Sequence, residues 1–197
     1  MKRFVIVVDM QRDFISVEGA LPVAGAEALV APMKAWLADL RSEDVAGVLF
    51  TADTHLPAIY AASTEAEQFP PHCERGTPGW ENVLDPDAID PAIPVYRLEK
   101  GVFDMWAEPE LTVAAVATGE KVTRDAFFAE LKARGVTEMT VIGVAADYCV
   151  RWAIEGLLAR GFAVEVPARL TRGIARPIEQ VIADDFADLP VRLEAAA

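Results

Sequence analysis

Short apolar runs that stop at a polar or turn-forming residue recur along this chain, and stretches with helical spacing separate most of them. The first run, RFVIVV, ends at Asp9. A short continuous apolar run of this kind is typical of a strand that is buried on both faces of a parallel sheet. The same features predict strands at 3–8, 45–51, 93–98, 139–144 and 162–166, and a short one at 191–193.

Helical patterns lie between several of these strands. Apolar residues at helical spacing predict an amphipathic helix over 26–41. A helix over 123–134 has both end signals, Thr123 as N-cap and Gly135 after its last turn. Further helices are predicted at 147–160 and 177–185. This alternation predicts one α/β domain over 1–197, with three layers, α/β/α, and a central, mostly parallel sheet.

Polar or reactive side chains follow several of the predicted strands. Asp9, Asp53, Lys100 and the turn 143–149 each come just after a strand. In open α/β sheets ligands bind beyond the carboxyl ends of the strands, so these positions predict a functional site on one rim of the sheet. The proline-rich segment 54–92 shows little periodicity and is expected to be a long loop, a kind of segment that is usually functional in a compact domain.

Charge and composition restrict the partners. The chain has 31 acidic and 18 basic residues, a formal net charge of −13, which would repel nucleic-acid phosphates and anionic membranes. It has no apolar run long enough to span a membrane, and its first residues are expected to form a strand rather than a signal peptide. Two cysteines do not suggest a disulfide framework, so we expect a cytoplasmic protein.

The only two histidines of the chain both lie where a metal site is plausible. Asp53 and His55 are two residues apart and can point to the same side at a strand end, and His72 lies in a loop shaped by Pro and Gly. One carboxylate and two imidazoles would leave coordination positions for water or substrate on a divalent metal such as zinc, iron or manganese. The alternative is a surface Asp-x-His and a loop histidine that bind nothing.

Cys149 is expected in the first turn of a helix that follows a strand. Such a position stabilises a thiolate and lowers its pKa, while backbone N–H groups of the turn could bind an oxyanion. Asp9 could take the thiol proton and Lys100 could stabilise the thiolate. The alternatives are a buried structural cysteine, a loop-capping carboxylate and a solvated lysine. Cys73, which is adjacent to His72, is interpreted as structural.

Three segments resemble a known family. The segment 8–14, VDMQRDF, is similar to the Asp-x-Gln-x-Asp-Phe opening of the isochorismatase-like cysteine hydrolases. FPPHC at 69–73, followed by GTPG at 76–79, resembles the loop of their metal-dependent nicotinamidase/pyrazinamidase branch, and GVAADYCV at 143–150 resembles their nucleophile turn. The first and last motifs are shared across the superfamily, whereas the Pro-Pro-His loop with Asp-x-His is specific to that branch. The resemblance extends from about residue 5 to residue 173.

This resemblance implies an isochorismatase-like fold and a role for each matching residue. Cys149 would be the nucleophile, Asp9 the proton-transferring group and Lys100 the third member of a triad. A cis peptide bond between Val144 and Ala145 would turn the Ala145 N–H toward the oxyanion. The implied metal ligands are Asp53, His55, His72 and, as a fourth, Glu65, and the implied walls of the substrate pocket are Phe14, Phe69, Phe103 and Trp106.

The implied activity is hydrolysis of nicotinamide to nicotinate and ammonia through a cysteine thioester, a step in pyridine nucleotide salvage, with one divalent metal, expected to be zinc, that orients the ring. The substrate is a small amide, and a homo-oligomer is possible. Three departures from the family pattern concern the substrate pocket. They are Thr54 between two metal ligands, Asp104 and Met105 between the two aromatics, and the acidic, alanine-rich segment 108–120.

Three other hypotheses compete with this one. The same fold could hydrolyse a different small amide or a ureido compound, in which case no metal need bind and loss of the Asp53 carboxylate would be harmless. The chain could be a binding protein that retains the fold without catalysis, and Cys149 would then react with thiol reagents no faster than a free cysteine. An isochorismatase needs no thiol nucleophile and is disfavoured because Cys149 is present.

Overall fold

A computed structural model describes residues 2–194, and its centre is one mixed sheet of nine strands. The order across the sheet is β5-β4-β3-β2-β1-β6-β7-β9, with β8 paired to the end of β6. The strands are β1 Arg3–Val8, β2 Val45–Asp53, β3 Val95–Lys100, β4 Thr112–Ala115, β5 Lys121–Thr123, β6 Glu138–Val144, β7 Ala163–Pro167, β8 Thr171–Arg172 and β9 Val191–Glu194.

The strands predicted from apolar runs form the parallel part of this sheet. β1 pairs with β2 on one side and β6 on the other, and β3, β7, β8 and β9 extend the sheet in parallel. The prediction of a mostly parallel α/β sheet is confirmed. Two strand ends differ, because β2 runs to Asp53 and β3 to Lys100, so these residues are the last of their strands rather than the first beyond them.

The segment 112–123, in which the sequence predicts no strand, contributes an antiparallel extension of the sheet. β4 pairs antiparallel with β3 and β5 pairs antiparallel with β4. Their residues are half-buried or exposed apart from Val113, so the strong apolar run that marks the parallel strands is missing here. An edge strand with one solvated face needs no such run.

Among residues 2–194, six helices accompany the strands: α1 Arg12–Ile15, α2 Val30–Ala38, α3 Pro57–Tyr60, α4 Arg124–Ala133, α5 Cys149–Ala159 and α6 Ile178–Asp185. The predicted helix over 26–41 is a 3-10 turn, Ala26–Leu29, that continues into the shorter α2. Thr123 caps α4 as predicted, since its hydroxyl accepts a hydrogen bond from the Ala126 N–H. The predicted long loop 54–92 contains α3 and short 3-10 turns at Glu65–Glu67, Pro78–Trp80 and Pro86–Ala88, and another such turn spans Ala168–Leu170.

Both faces of the sheet carry an apolar layer, which confirms the three-layer prediction. Because side chains alternate along a strand, Phe4 and Ile6 of β1 pack on one face and Val5 and Val7 on the other. Residues of α4, α5 and α6 cover the first face, and α2 with part of the long loop covers the second. Within residues 2–194, no helix combines the length and apolar character that crossing a membrane requires.

We expect the contact between β1 and β6 to tolerate only glycine at position 143. Gly143 has φ +120°, and a Cβ there would lie 2.1 Å from the carbonyl oxygen of Val8. Gly143→Ala should therefore lower the free energy of unfolding in urea by more than about 3 kcal/mol, since the strained backbone and the clash add. Gly119→Ala is the matched control, because Gly119 has φ +71° with no atom within 4 Å of the added Cβ, and its cost should stay near 1 kcal/mol. Equal losses in the two variants would contradict the clash.

Candidate active site and metal centre

The adjacent strands β1, β2 and β3 bring three predicted site residues together at the carboxyl edge of the sheet. Asp9 follows β1 directly, and Asp53 and Lys100 are register partners at the ends of β2 and β3. Cys149 is the first residue of α5, which follows β6 on the other side of β1. One ligand-type atom each of Asp9, Asp53 and Cys149 lies within 4.8 Å of the others. The rim predicted from the strand ends therefore exists as a single cluster.

Lys100 is the positive centre of this cluster, although its side chain is only 1% exposed. Its Nζ lies 2.9 Å from Asp9 Oδ2 and 3.6 Å from Cys149 Sγ, and it donates a hydrogen bond to Asp53 Oδ1. Burial lowers the pKa of Lys100, but the negative charges of Asp53 and Asp9 outweigh it and hold that pKa well above its usual range. The amine is therefore a fixed cation beside the thiol.

Asp9 is held in a backbone conformation that few residues other than glycine adopt. Its φ is +46°, and its side chain is completely buried. The hydroxyl of Thr51 donates to Asp9 Oδ1 at 2.6 Å and accepts from the Asp9 N–H at 3.3 Å. Thr51 on one side and Lys100 on the other thus fix the carboxylate, and backbone strain of this kind is often kept where function requires a set geometry.

The Cys149 thiol is neutral in this arrangement. Burial raises its pKa well above the usual range, Lys100 opposes the rise, and the carboxylates of Asp9 and Asp53 add to it. This differs from the lowered pKa expected for a cysteine at the start of a helix. The reason is that the sequence pattern places the thiol near an N-terminus but does not reveal that it is also buried beside two anions. Formation of a thiolate therefore requires an acceptor for the proton, and Asp9 is adjacent.

The turn before Cys149 has the expected Val144–Ala145 cis peptide bond. Within residues 2–194, neither the Ala145 N–H nor the Cys149 N–H donates a hydrogen bond. Asp147 fixes the turn from outside, because its carboxylate accepts hydrogen bonds from three successive backbone N–H groups at 174–176, at 2.7 to 2.9 Å. Two free donors on an anchored turn are what an oxyanion site needs.

A second cluster consists of Asp53, His55, Glu65 and His72, all buried. Glu65 Oε1 is 3.5 Å from His55 Nε2 and 3.4 Å from His72 Nε2, and Asp53 Oδ2 is 3.9 Å from His72 Nε2. These four atoms, together with Glu65 Oε2, lack a hydrogen-bond partner among the described residues. Buried polar atoms without partners are uncommon, and two imidazoles with two carboxylates suit a divalent transition metal. The residues therefore fit a metal ion.

The ligand atoms of this second cluster are oriented by neighbouring groups. His72 Nδ1 lies 2.8 Å from the carbonyl oxygen of Pro70, so that Nε2 is turned toward Glu65. Tyr60 donates to the carbonyls of Phe69 and Pro70, and its ring packs on the His55 ring at 4.6 Å. Partners of this kind fix the orientation of metal ligands.

The protonation of the second cluster reflects the crowding of its charges. Burial raises the pKa of Asp53 to about 7, with Asp9 and Glu65 adding to the rise and Lys100 opposing it. Burial lowers the pKa of His55 to about 4. Burial also lowers the pKa of His72, but contact with Glu65 and the Pro70 carbonyl outweighs it, and the net effect is a rise. A bound dication would favour the ionised carboxylates and neutral imidazoles that ligation requires.

Three of the four predicted pocket residues lie beside these clusters. The Phe14 ring packs on His72 at 5.2 Å. Phe69 and Phe103 contact each other at 5.5 Å, and both contact the ring of Tyr148, which precedes Cys149, at 5.3 to 5.4 Å. Trp106 is not brought together with them.

The Trp106 ring instead packs on Phe128 of α4 and lies between the guanidinium groups of Arg124 and Arg160, at 5.5 and 3.8 Å. Gly156 leaves room for its indole nitrogen. Arg124 also donates to the carbonyls of Met105 and Glu108, so Trp106 and Arg124 hold the loop that follows Lys100.

The departures from the family pattern have local explanations. The Thr54 hydroxyl accepts a hydrogen bond from Trp80 Nε1 at 2.8 Å. Asp104 accepts from the Trp106 N–H at 2.8 Å, and Met105 is buried in the core. Segment 108–120 contains β4, which lies between β3 and the edge strand β5.

Sequence reasoning missed Gln11 and Thr51 as supporting residues. Gln11 brackets the Asp53 backbone, accepting from its N–H at 2.8 Å and donating to its carbonyl at 2.8 Å. The position of Gln11 within the motif VDMQRDF is a sequence signal that could have identified it as a supporting residue. Thr51 also had a signal, since it is two residues before Asp53 and shares its strand face. For Tyr148, the sequence offers no signal other than its position directly before Cys149.

The fold and site together define a class: α/β proteins with a buried Cys–Lys–Asp cluster at the strand ends and a four-residue ligand set that shares a carboxylate with it. The family model described as the isochorismatase domain matches residues 3–180. The chain belongs to the isochorismatase family.

Three individual proteins show what the chain is similar to within and beyond the family model. A nicotinamidase/pyrazinamidase from Mycobacterium tuberculosis is 32% identical in an alignment of 180 residues that covers 88% of this chain and 88% of that protein. Among solved structures, a pyrazinamidase of Pyrococcus horikoshii in complex with zinc has a TM-score of 0.74 at 22% identity, with 100% of both chains covered. PnC1 from L. infantum in complex with nicotinate has a TM-score of 0.74 at 24% identity, covering 98% of this chain and 92% of that one. These two structures share the fold of the chain.

We predict that Glu65 contributes directly to zinc affinity. Glu65→Gln should weaken zinc binding by about 100-fold or more, because loss of a group that merely supports a ligand already costs roughly 10- to 100-fold. Competition with a chromogenic chelator measures this. Glu67→Gln is the matched control, since Glu67 lies in the same 3-10 turn, is exposed and carries the same charge. Equal affinities in the two variants would remove Glu65 from the ligand set.

Proposed function

We propose that this protein hydrolyses nicotinamide to nicotinate and ammonia through a thioester on Cys149. The general activity, hydrolysis of an amide, follows from the family and from the nicotinamidase/pyrazinamidase relative at 32% identity. The particular substrate is supported by a nearby ring-binding centre. A metal beside the nucleophile could hold a heteroaromatic ring while its carboxamide meets the thiol.

The observation that carries this proposal is the double use of Asp53. Its Oδ1 accepts from Lys100, which contacts Cys149 Sγ at 3.6 Å, and its Oδ2 faces His72 in the ligand cluster. The Asp53 carboxylate therefore lies between the Cys149 thiol and the ligand cluster. A single small ring with one carboxamide is long enough to contact both.

In the first half of the reaction, Asp9 takes the proton of the Cys149 thiol as Sγ forms a bond to the amide carbon. The Lys100 ammonium stabilises the developing thiolate, and the free N–H groups of Ala145 and Cys149 donate hydrogen bonds to the oxyanion. Asp9 then returns the proton to the nitrogen as the C–N bond breaks. Ammonia leaves, and a thioester remains on Cys149.

In the second half, Asp9 takes a proton from water as the water oxygen attacks the thioester carbon. The C–S bond breaks, nicotinate leaves, and the proton on Asp9 returns to Cys149. Asp9 thus carries one proton in each direction per half-reaction, and its tether by Thr51 and Lys100 keeps it within reach of both partners.

Asp53, His55, Glu65 and His72 would hold one divalent metal, which we propose to be zinc, with iron and manganese as alternatives. When bound, the metal supplies a Lewis-acid anchor for the ring nitrogen of the substrate. Phe14, Phe69 and Phe103 are proposed to contact the ring. The cytoplasmic location, the single-domain organisation, the role in pyridine nucleotide salvage and a homo-oligomeric state stay predictions.

The nucleophile assignment predicts the outcome of one substitution. Cys149→Ala should lower kcat for ammonia release from nicotinamide by at least about 10³-fold, because the covalent route is lost. A coupled ammonia assay measures it. Cys73→Ala is the matched thiol control and should retain activity, since Cys73 packs in the apolar cluster on the α2 face.

Other results would point elsewhere. Ammonia release that survives Cys149→Ala would refute the thioester mechanism. A wild-type protein that leaves nicotinamide intact but carries a Cys149 that reacts rapidly with thiol reagents would favour a different small amide or a ureido substrate. A wild-type protein that hydrolyses neither nicotinamide nor another small amide or ureido compound would indicate a binding protein.

Removal of the metal should abolish turnover. After dialysis against a chelator we expect loss of nicotinamide hydrolysis, and restoration by one equivalent of zinc, iron or manganese per chain, because the ring loses its anchor. Ammonia release at the full rate without metal would separate the ligand cluster from the activity. The folded state of the dialysed protein is checked by circular dichroism.

A further inference from the structure

A cavity of about 330 Å³ lies under the β3–β4 end of the sheet. Its walls are mostly apolar, and they include Phe50, Trp80, Tyr96, Ala114 and Val116. A volume of this size is within the range of small-molecule sites in proteins. The hairpin of β4 and β5, which the sequence does not predict, provides one wall.

This cavity is separate from the active site. Phe50 and Ala52 line it, and Thr51 between them also borders it, but the Thr51 hydroxyl is bound to Asp9 and the Asp53 carboxylate to Lys100, in the catalytic cluster. Because neighbouring side chains of a strand point to opposite faces, the sheet itself lies between the cavity and the catalytic cluster. A ligand of the cavity would therefore not compete with substrate for the same space.

The charge at the cavity is positive, although the chain as a whole is at −13. Arg97 is the one charged side chain among the described residues that line it, and its guanidinium lies over the Trp80 ring at 4.4 Å. Glu99 contacts Arg97 at 3.3 Å, but it also pairs with Arg75. Arg97, Glu99 and Arg75 together therefore carry a net charge of one positive unit beside the cavity.

We propose that the cavity is a second binding site, for a small aromatic carboxylate. The ring would stack between Trp80 and Phe50, and the carboxylate would pair with the Arg97 guanidinium, whose fork of donors suits a carboxylate. The inference does not depend on the proposed activity, because it rests on residues of the opposite face of the sheet.

Trp80 links the cavity to the frame of the active site. Its Nε1 donates to Thr54, which follows Asp53, and its carbonyl accepts from Gln11, which holds the Asp53 backbone. A ligand that stacks on Trp80 therefore contacts a side chain that is hydrogen-bonded to Thr54. Thr54 directly follows Asp53, a proposed metal ligand.

The test is calorimetric titration of the zinc-loaded protein with 2-naphthoate, and with 2-naphthylmethanol as the uncharged probe. We expect one naphthoate per chain, and binding of the alcohol weaker by about tenfold or more, the value of one charge-assisted contact. Arg97→Gln should weaken naphthoate binding to the same extent. Arg134→Gln, which removes the same charge after α4, should leave it unchanged.

Ala114→Phe places a ring in the cavity, since Ala114 is the cross-strand partner of Arg97, and it should abolish naphthoate binding. Binding that persists in this variant, with its fold verified by circular dichroism, would overturn the proposal, because the ligand would lie elsewhere. So would naphthoate affinity that is equal in wild type and Arg97→Gln. The proposal would also be overturned if naphthoate did not bind the wild type and the protein formed a dimer that Val116→Asp dissociates. The cavity would then be part of an interface between two copies of the chain.

Discussion

The buried Lys100 ammonium, held between the carboxylates of Asp9 and Asp53, is the interaction on which the rest of the site depends. Transfer of a charge out of water costs several kcal/mol, and a buried cation persists only when anions surround it. The two anions come from neighbouring strands, and they can reach Lys100 only because β1, β2 and β3 are adjacent and in register. Loss of one partner of such a buried pair typically costs about 3–5 kcal/mol.

Asp53 transmits this constraint to the ligand cluster. One oxygen of Asp53 is bound to Lys100, so the other is directed toward His72. Gln11 fixes the backbone of Asp53 by accepting a hydrogen bond from its N–H. A shift of Lys100 would therefore change the ligand set, and a change in the ligand set would alter the field at Cys149. Cys149 and the ligand cluster form one electrostatic unit, in which a dication would supply the positive charge that balances the carboxylates.

Particular residues show how far sequence reasoning reaches. Asp9, Lys100 and Cys149 were found because polar residues after apolar strands have one physical interpretation in α/β sheets. Glu65 came only through the family motif, since a glutamate in a loop has no periodicity to distinguish it. The family resemblance implies Trp106 as a wall of the pocket, yet it packs between Arg124 and Arg160. The hairpin at 112–123 was missed because a half-solvated edge strand needs no apolar run.

The sequence by itself determined the parallel core of the sheet, the rim on which the site lies and the chemical types of its side chains, because these follow from local patterns of burial and polarity. Only the tertiary structure decided the protonation of Cys149 and the double role of Asp53. Both depend on which charges share a dry interior, and that is a property of distances between segments far apart in the chain. The cavity beside Arg97 arose in the same way, since its walls come from β2, β3, β4 and the loop that carries Trp80.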